Sequence, residues 1–272
     1  MKIQKLCEYL EKLTPISEIP LTWDLMSYTS ESFNDWASGN SFNGWEGERP
    51  TEDEVSIIAK LLKTKHGDSL LDVACGYGRH DLLFASSYGL NVTGIDISPG
   101  LIEAARRLAK ERELKIDYEI RHGRNLVWQD KFDHAMIAFN SFSLFSPEDA
   151  PIVLNSINKA LKKKGRMFMD LDNKPFNCRY GASYRDWGVS NGLAIKDIYF
   201  HQDISVEVCR DMYCMPEADR MVEFVTFKRI YSEEEIRTLF TECGFYIEEI
   251  YGDWDLSPLT QNSPKMILVG VL

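Results

Sequence analysis

The stretch LLDVACGYGRHDLL, residues 70–83, decides the fold. An apolar run that contains Asp72 predicts a buried strand, and Gly76 and Gly78 follow it in a turn before a helical segment. Glycines permit positive φ and let a ligand approach the backbone, and the free amides at a helix start favour polar or anionic groups. The stretch therefore predicts the first strand–turn–helix unit of a nucleotide-binding α/β fold.

The residues around this turn limit the kind of nucleotide. A dinucleotide fingerprint has a third glycine three residues after the second, but this position is Asp81, whose charge opposes a pyrophosphate. Asp96 ends the next predicted strand, and a carboxylate at this place can accept hydrogen bonds from both hydroxyls of a ribose. We therefore expect a nucleoside-like ligand without a pyrophosphate.

The chain beyond the turn alternates predicted helices and strands. Thr51 and Glu54 have the spacing of a capping box at one helix start. Ser98 is placed to cap another helix, with Pro99 in its first position. Strands separated by single helices imply parallel pairing with right-handed crossovers. Residues 51–272 are therefore predicted to form a doubly wound α/β domain.

A different pattern interrupts this domain at about residues 174–228. Residues 173 to about 192 are predicted to be irregular, and three segments between 193 and 230 then alternate polar and apolar residues. Period-two alternation is typical of antiparallel strands with one solvated face. We expect an antiparallel flap inserted after the fifth strand, and an N-terminal helix with an aromatic lid in residues 1–50.

Composition and charge argue against several functional classes. The 272 residues contain 31 Lys and Arg but 42 Asp and Glu, so the net charge of −11 argues against nucleic acid as a partner. The basic run at residues 162–166 is predicted to lie at a helix end, where cations favour the dipole. Six cysteines without a CxxC pair indicate reduced thiols and no metal site. No signal-peptide stretch and no membrane-length apolar run is present, so we expect a cytoplasmic protein.

Three stretches carry a resemblance to a known family. LLDVACGYGRH at 70–80, VTGIDIS at 92–98 and FDHAMIAFNSF at 132–142, in this order, resemble the class I S-adenosylmethionine-dependent methyltransferases. The resemblance covers roughly residues 45–272, and the CGYGRH form is similar to a bacterial and archaeal small-molecule branch. It implies a Rossmann-like sheet of seven strands in the order 3-2-1-4-5-7-6, with strand seven antiparallel and helices on both faces.

The resemblance also implies the cofactor, S-adenosylmethionine, and the residues that hold it. Those expected along its methionine part are Asp72, Ala74, Cys75, Gly76 and Gly78. Asp96 would hold the ribose, and Ile97 would lie against the adenine. Many members have an acid after strand three, where this chain has His122. The adenine contact is therefore expected from backbone atoms of His122, Gly123 and Arg124, or from the His122 side chain.

Methyl transfer itself needs few catalytic groups. It is a direct displacement at a sulfonium carbon, so the protein mainly aligns the nucleophile and excludes water. A base is needed only if the nucleophile carries a proton. Asn140 and Ser141, at the end of strand four, are predicted to meet the cofactor and the acceptor. Asp172 is placed to orient an amine or accept a hydroxyl proton, and His201 is a candidate general base.

The acceptor pocket and the lid are predicted from aromatic and basic residues. The pocket candidates in the flap are Trp187, His201, Arg210, Tyr213 and Arg229. Tyr28 and Trp36 are expected to cover the sulfonium by cation–π contact, and Arg49 to meet the cofactor carboxylate. The N-terminal segment is alternatively a packed loop, and the flap is alternatively a subunit contact.

These observations predict a methyltransferase that acts on nitrogen or oxygen of a small molecule, as a monomer or homodimer. Three other functions remain open. They are methylation of RNA or protein, aminopropyl transfer from a decarboxylated cofactor, and binding of the cofactor without catalysis.

Overall fold

The computed structural model describes residues 9–23, 49–180, 183–189, 193–215 and 220–272, and side chains in parts of the flap are not included. The predicted lid residues Tyr28 and Trp36 lie outside the described residues. The helices are α1 Thr51–Leu62, α2 Arg79–Ser87, α3 Pro99–Glu111, α4 Asp149–Ala160, α5 Lys174–Asn177 and α6 Glu233–Glu242. The strands are β1 Ser69–Val73, β2 Asn91–Asp96, β3 Asp117–Ile120, β4 Phe132–Ile137, β5 Leu161–Asp172, β6 Ser183–Val189, β7 Leu193–His201, β8 Val206–Met215, β9 Arg220–Arg229, β10 Tyr246–Tyr251 and β11 Lys265–Val271.

The central sheet has seven strands in the order β3-β2-β1-β4-β5-β11-β10. Strands β1 to β5 pair in parallel, while β11 pairs antiparallel with β5 and β10. Without the flap strands, this is the predicted order 3-2-1-4-5-7-6, so the fold prediction is confirmed. Apolar clusters cover the sheet on both faces, one with α4 and α6 and the other with α1 and α2. The carboxyl ends of β1, β2 and β4 therefore meet at one edge.

Helix capping follows the sequence at one predicted site and departs from it at another. The Ser98 hydroxyl accepts a hydrogen bond from Leu101 N at 3.2 Å, as predicted for α3. The capping box predicted for Thr51 and Glu54 is wrong, because Pro50 precedes the helix and no side chain caps it. Thr51 and Glu54 instead accept hydrogen bonds from Arg79, which tie α1 to α2.

The basic run at residues 162–166 belongs to β5 and not to a helix end as predicted. Helix α4 ends at Ala160, and Lys162 Nζ lies 2.8 Å from the Asp133 carboxylate. Arg166 donates to the Leu61 carbonyl at 3.1 Å. These contacts engage Lys162 and Arg166 within the protein, whereas Lys163 and Lys164 are exposed.

The flap is a separate antiparallel sheet in the order β6-β7-β8-β9. Strand β6 lies in the segment at residues 173 to about 192 predicted to be irregular, so this prediction is wrong for residues 183–189. Alternate residues point to opposite faces of the sheet. On the outer face, Val206, Val208 and Phe227 pack against the N-terminal segment 16–23. The inner face carries Glu207 and Lys228, which are paired across β8 and β9. Within the described ranges, no helix is long and apolar enough to cross a membrane.

Candidate active site

The two glycines of the turn have different structural roles. Gly76 and Gly78 both have positive φ, 59° and 75°. A Cβ added to Gly76 would meet no atom within 4 Å, whereas one added to Gly78 would lie 2.1 Å from the Tyr118 hydroxyl. Gly78 therefore allows close packing against β3, and Gly76 leaves open space beside the turn. Ala74, which precedes them, also has a positive φ of 63° and is half-buried.

Asp96 joins the end of β2 to the glycine turn. Its Oδ2 accepts from the backbone N–H of Gly76 at 3.0 Å, and its Oδ1 accepts from the backbone N–H of Ser98 at 2.9 Å. Burial raises the pKa of Asp96, while these amides oppose the shift. A carboxylate has about four lone-pair sites, so Asp96 can hold the turn and still accept from two ribose hydroxyls. Ile97, next to it, is half-buried.

Arg79 is a candidate ligand residue that the sequence reasoning missed. It begins α2, and its Nη1 donates to the Thr51 hydroxyl at 3.0 Å and to the Glu54 carboxylate. Its guanidinium lies 5.1 Å from the ring centre of Phe139. Arg79 Nη2 is buried and has no hydrogen-bond partner in the described part of the chain. A buried cationic donor of this kind suits an anionic ligand group.

Two neighbours of Arg79 complete this corner of the site. His80 Nε2 lies 2.8 Å from the Glu54 carboxylate, and burial lowers the pKa of His80. Burial raises the pKa of Glu54, but hydrogen bonds with His80 and Arg79 outweigh it and lower that pKa overall. The predicted carboxylate ligand Arg49 also has a buried Nε without a partner among the described residues. Two arginines, one predicted and one not, therefore offer buried donors.

The His122 side chain stabilises a turn beside the predicted adenine position. Its Nδ1 accepts from Arg124 N at 3.2 Å and caps the 3-10 turn Gly123–Asn125. Its Nε2 lies 3.8 Å from Asp149, which also pairs with Arg124 at 3.1 Å. Burial lowers the pKa of His122, so the ring is neutral at pH 7 with its proton on Nε2. This orientation commits the side chain to the turn and to Asp149.

The tip of β4 is held in an unusual conformation by the neighbouring strand. Phe139 and Asn140 both have positive φ, 62° and 57°. Asp170, in β5, accepts from the backbone N–H of Phe139 at 2.5 Å and of Asn140 at 3.2 Å. Ser141 donates its hydroxyl to the Ala138 carbonyl at 2.7 Å. The tip presents Asn140 at a fixed position because its backbone is tied to β5.

Asp172 positions the Asn140 side chain. Asn140 Nδ2 donates to Asp172 Oδ2 at 2.6 Å, and Lys265 Nζ donates to Asp172 Oδ1 at 2.6 Å. Burial raises the pKa of Asp172, but Lys265 and then Lys228 outweigh it and lower that pKa overall. Lys228 in turn donates to Glu207 at 3.2 Å. A chain of alternating charges thus links the tip of β4 to the inner face of the flap.

Of the remaining flap candidates, Trp187 has a side chain outside the described part of the structure, and the others lie on two different faces. His201 pairs with Val206 and is on the outer face, with its ring 4.7 Å from that of Tyr199. Arg210 is also on the outer face and donates to the Thr14 carbonyl at 2.7 Å. Tyr213 lies on the inner face and stacks on Phe224. The structure therefore does not bring His201 together with Asn140 and Asp172.

The comparisons with known proteins agree with this geometry. Residues 70–165 match the sequence profile of a family described as methyltransferase domain. These residues are the matched part of a methyltransferase domain. Over the structure, the chain is similar to an S-adenosylmethionine-dependent methyltransferase from Clostridium acetobutylicum ATCC 824, with a TM-score of 0.75, 14% identity, and 83% and 93% of the two chains covered. The structure has the fold of these enzymes.

Curated relatives share parts of the sequence. The chain is 26% identical over 204 residues to O-methyltransferase resE of Aspergillus sclerotiorum. The aligned residues cover 73% of this chain and 62% of that protein. It is 29% identical over 110 residues to a phosphoethanolamine N-methyltransferase of Triticum aestivum. This alignment covers 40% of this chain and 21% of that protein. The chain thus spans less than two thirds of the length of these relatives. One relative is named for oxygen and the other for nitrogen as the acceptor atom.

Proposed function

We propose that the whole chain is a methyltransferase that transfers the methyl group of S-adenosylmethionine to nitrogen or oxygen of a small molecule. The acceptor binds between the tip of β4 and the inner face of the flap. The observation that carries this proposal is a row of polar groups in which Asn140 donates to Asp172, Lys228 donates to Glu207, and Asp172 and Lys228 attract one another electrostatically. It connects the edge of the sheet where the cofactor residues meet to the flap.

The described residues fit the cofactor. Asp96 offers free lone pairs to the ribose, and Gly76 leaves open space beside the turn. The buried donors of Arg79 and Arg49 suit the cofactor carboxylate. Backbone groups from His122 to Arg124 are left to contact the adenine, because the His122 side chain is engaged elsewhere.

Bound S-adenosylmethionine supplies an electrophilic methyl group, so this chain's residues mainly position the nucleophile and exclude water. Asn140 is held by Asp172 and by Ser143, and presents a fixed amide at the rim. Asp172 is an ionised positioning residue. His201 has no role in this proposal, since it lies on the outer face.

Incubation with radiolabelled S-adenosylmethionine and a panel of small amines, phenols and alcohols tests the activity. We expect S-adenosylhomocysteine to form with at least one acceptor. Tight cofactor binding without turnover on this panel or on a metabolite extract would contradict the proposal and favour a binding module.

A matched pair of substitutions tests the acceptor position. Tyr213 lies on the inner face of the flap and Tyr199 on the outer face. We expect Tyr213→Phe to raise the acceptor KM about threefold or more, whereas Tyr199→Phe leaves it unchanged. Equal effects of the two substitutions on the acceptor KM would show that the acceptor does not bind on the inner face of the flap.

A further inference from the structure

Two carboxyl groups are buried together beneath the glycine turn. Asp72, in β1, is 2% exposed, and Asp81, in the first turn of α2, is 0% exposed. Asp81 Oδ2 would lie 2.7 Å from a Cβ on Gly94 in β2. Among the residues that the structure describes, no donor forms a regular hydrogen bond with either oxygen of Asp81 or with Oδ1 of Asp72. Asp81 is also the residue that replaces the third glycine of a dinucleotide fingerprint.

A proton between the two carboxyls resolves this arrangement. Two ionised carboxylates so close together in a buried place repel one another, whereas a protonated carboxyl donates to its neighbour. Burial raises the pKa of Asp81 to about 7, and burial together with the charge of Asp81 raises that of Asp72 well above its usual range. The pair therefore holds one proton near neutral pH.

The surroundings of the pair are mostly acidic or neutral. Asp96 on β2 adds negative charge and raises the pKa of Asp72, while Arg79 on α2 lowers it. The Tyr118 hydroxyl on β3 lies below Gly78 and faces Asp81, where it opposes the rise in the pKa of Asp81, and the Cys75 thiol is buried beside them. Arg79 is also engaged by Glu54. A positive charge brought to the turn thus meets an incompletely compensated carboxyl pair.

We propose that Asp72 and Asp81 share a proton in the free protein and release it to solvent when S-adenosylmethionine binds, so that the pair selects the cofactor over its product. S-adenosylmethionine and S-adenosylhomocysteine differ by one methyl group and one unit of positive charge. An opposite charge stabilises ionised carboxylates, and the ammonium group is common to both ligands, so the sulfonium is the charge that makes S-adenosylmethionine favour the deprotonated pair more than S-adenosylhomocysteine does. After methyl transfer the pair takes a proton back from solvent. The pair then no longer contributes to the affinity, so it favours S-adenosylmethionine over the bound S-adenosylhomocysteine.

Isothermal titration in two buffers of different ionisation enthalpy measures the proton release. If the sulfonium lowers the apparent pKa of the pair by about one unit, roughly half a proton leaves near pH 7. The affinity for S-adenosylmethionine then rises about fivefold from pH 6 to pH 8. We expect the affinity for S-adenosylhomocysteine to change less than about twofold through this pair. Asp81→Asn should abolish the difference between the two ligands in proton release and in the pH dependence of the affinity.

Controls separate the pair from other groups that titrate in this range. These include the cofactor ammonium, His80 and His122, whose contributions persist in Asp81→Asn and are subtracted by comparison with it. Asp133→Asn, at the opposite end of the sheet, should behave like the wild type. The same proton release in Asp81→Asn, or with both ligands in the wild type, would overturn the proposal.

Infrared difference spectroscopy on the wild-type protein avoids any folding defect of a variant. The carbonyl stretch of a buried protonated carboxyl should lose intensity near pH 7 when S-adenosylmethionine is added, in proportion to the proton release, and persist with S-adenosylhomocysteine. Persistence with both ligands, while calorimetry shows that both bind, would also overturn the proposal and leave the cofactor assignment intact.

Discussion

The side-chain amide of Asn140 donates to the carboxylate of Asp172 at 2.6 Å, and this contact joins the ends of β4 and β5. Lys265 holds the other oxygen of the same carboxylate. Asp172 therefore organises the rim of the site although it is not placed there as a free base.

Replacing this carboxylate should weaken both the fold and the chemistry. Asp172→Asn leaves Lys265 partly buried without its anion, so we expect a loss of about 1–3 kcal/mol in the free energy of unfolding. Urea unfolding measures it, with the exposed Asp203→Asn as a control. An unchanged stability would show that the network contributes nothing.

Asp96 should determine the affinity for the nucleoside part of the cofactor. Asp96→Ala removes a charge-assisted acceptor, and we expect a loss of about 1.5–3 kcal/mol in the binding of both S-adenosylmethionine and S-adenosylhomocysteine. Calorimetry measures the loss, and Asp117→Ala at the exposed start of β3 is the control. A folded variant with full affinity would exclude Asp96 as the ribose ligand.

The two glycines of the turn should respond differently to alanine. Both have positive φ, so alanine at either position would introduce a similar backbone strain of about 1–2 kcal/mol. Gly78→Ala additionally meets the Tyr118 hydroxyl. We expect Gly78→Ala to lower the melting temperature clearly more than Gly76→Ala does. A Gly76→Val variant should lose cofactor binding with only a modest loss of stability. Equal melting temperatures of the two alanine variants would mean that Tyr118 moves aside freely.

Arg79 should recognise the carboxylate of the cofactor. We expect Arg79→Lys to weaken S-adenosylhomocysteine binding about tenfold, because a point charge replaces the planar fork. The affinity for 5′-methylthioadenosine, which lacks this carboxylate, should stay within about twofold. If both ligands weaken equally, Arg79 acts on the shape of the turn and not on the carboxylate.

Asp81 and Asp170 should each make the ligand-free protein less stable as the pH rises from about 4 to about 7. Burial raises the pKa of Asp81 to about 7 and that of Asp170 to about 6, from an ordinary value of 3.8. The folded state then binds more protons than the unfolded state above pH 4, so deprotonation favours unfolding. Urea unfolding at pH 5 and pH 8 measures the loss. Asp81→Asn should reduce it by an amount on the order of 2 kcal/mol, and an identical loss in the variant would contradict this assignment.

Local signals in the sequence determined the order of the elements and the position of Asp96 beside the glycine turn. Apolar periodicity, the Gly76 and Gly78 turn and the Ser98 cap depend on residues close together in the chain, so they predict strands, turns and helix starts directly. Asp96 was predictable for the same reason, because the end of a strand next to the turn follows from the fold.

Only the tertiary structure decided which side chains meet across elements. Glu54 is spaced as a cap for its own helix, but Arg79 and His80 of the next helix engage it. The pairing of Asp72 with Asp81, of Asn140 with Asp172, and the outward position of His201 depend on strand register and on the packing of α2 against the sheet. Periodicity reports which face of an element is buried, but it carries no information about the partner that buries it.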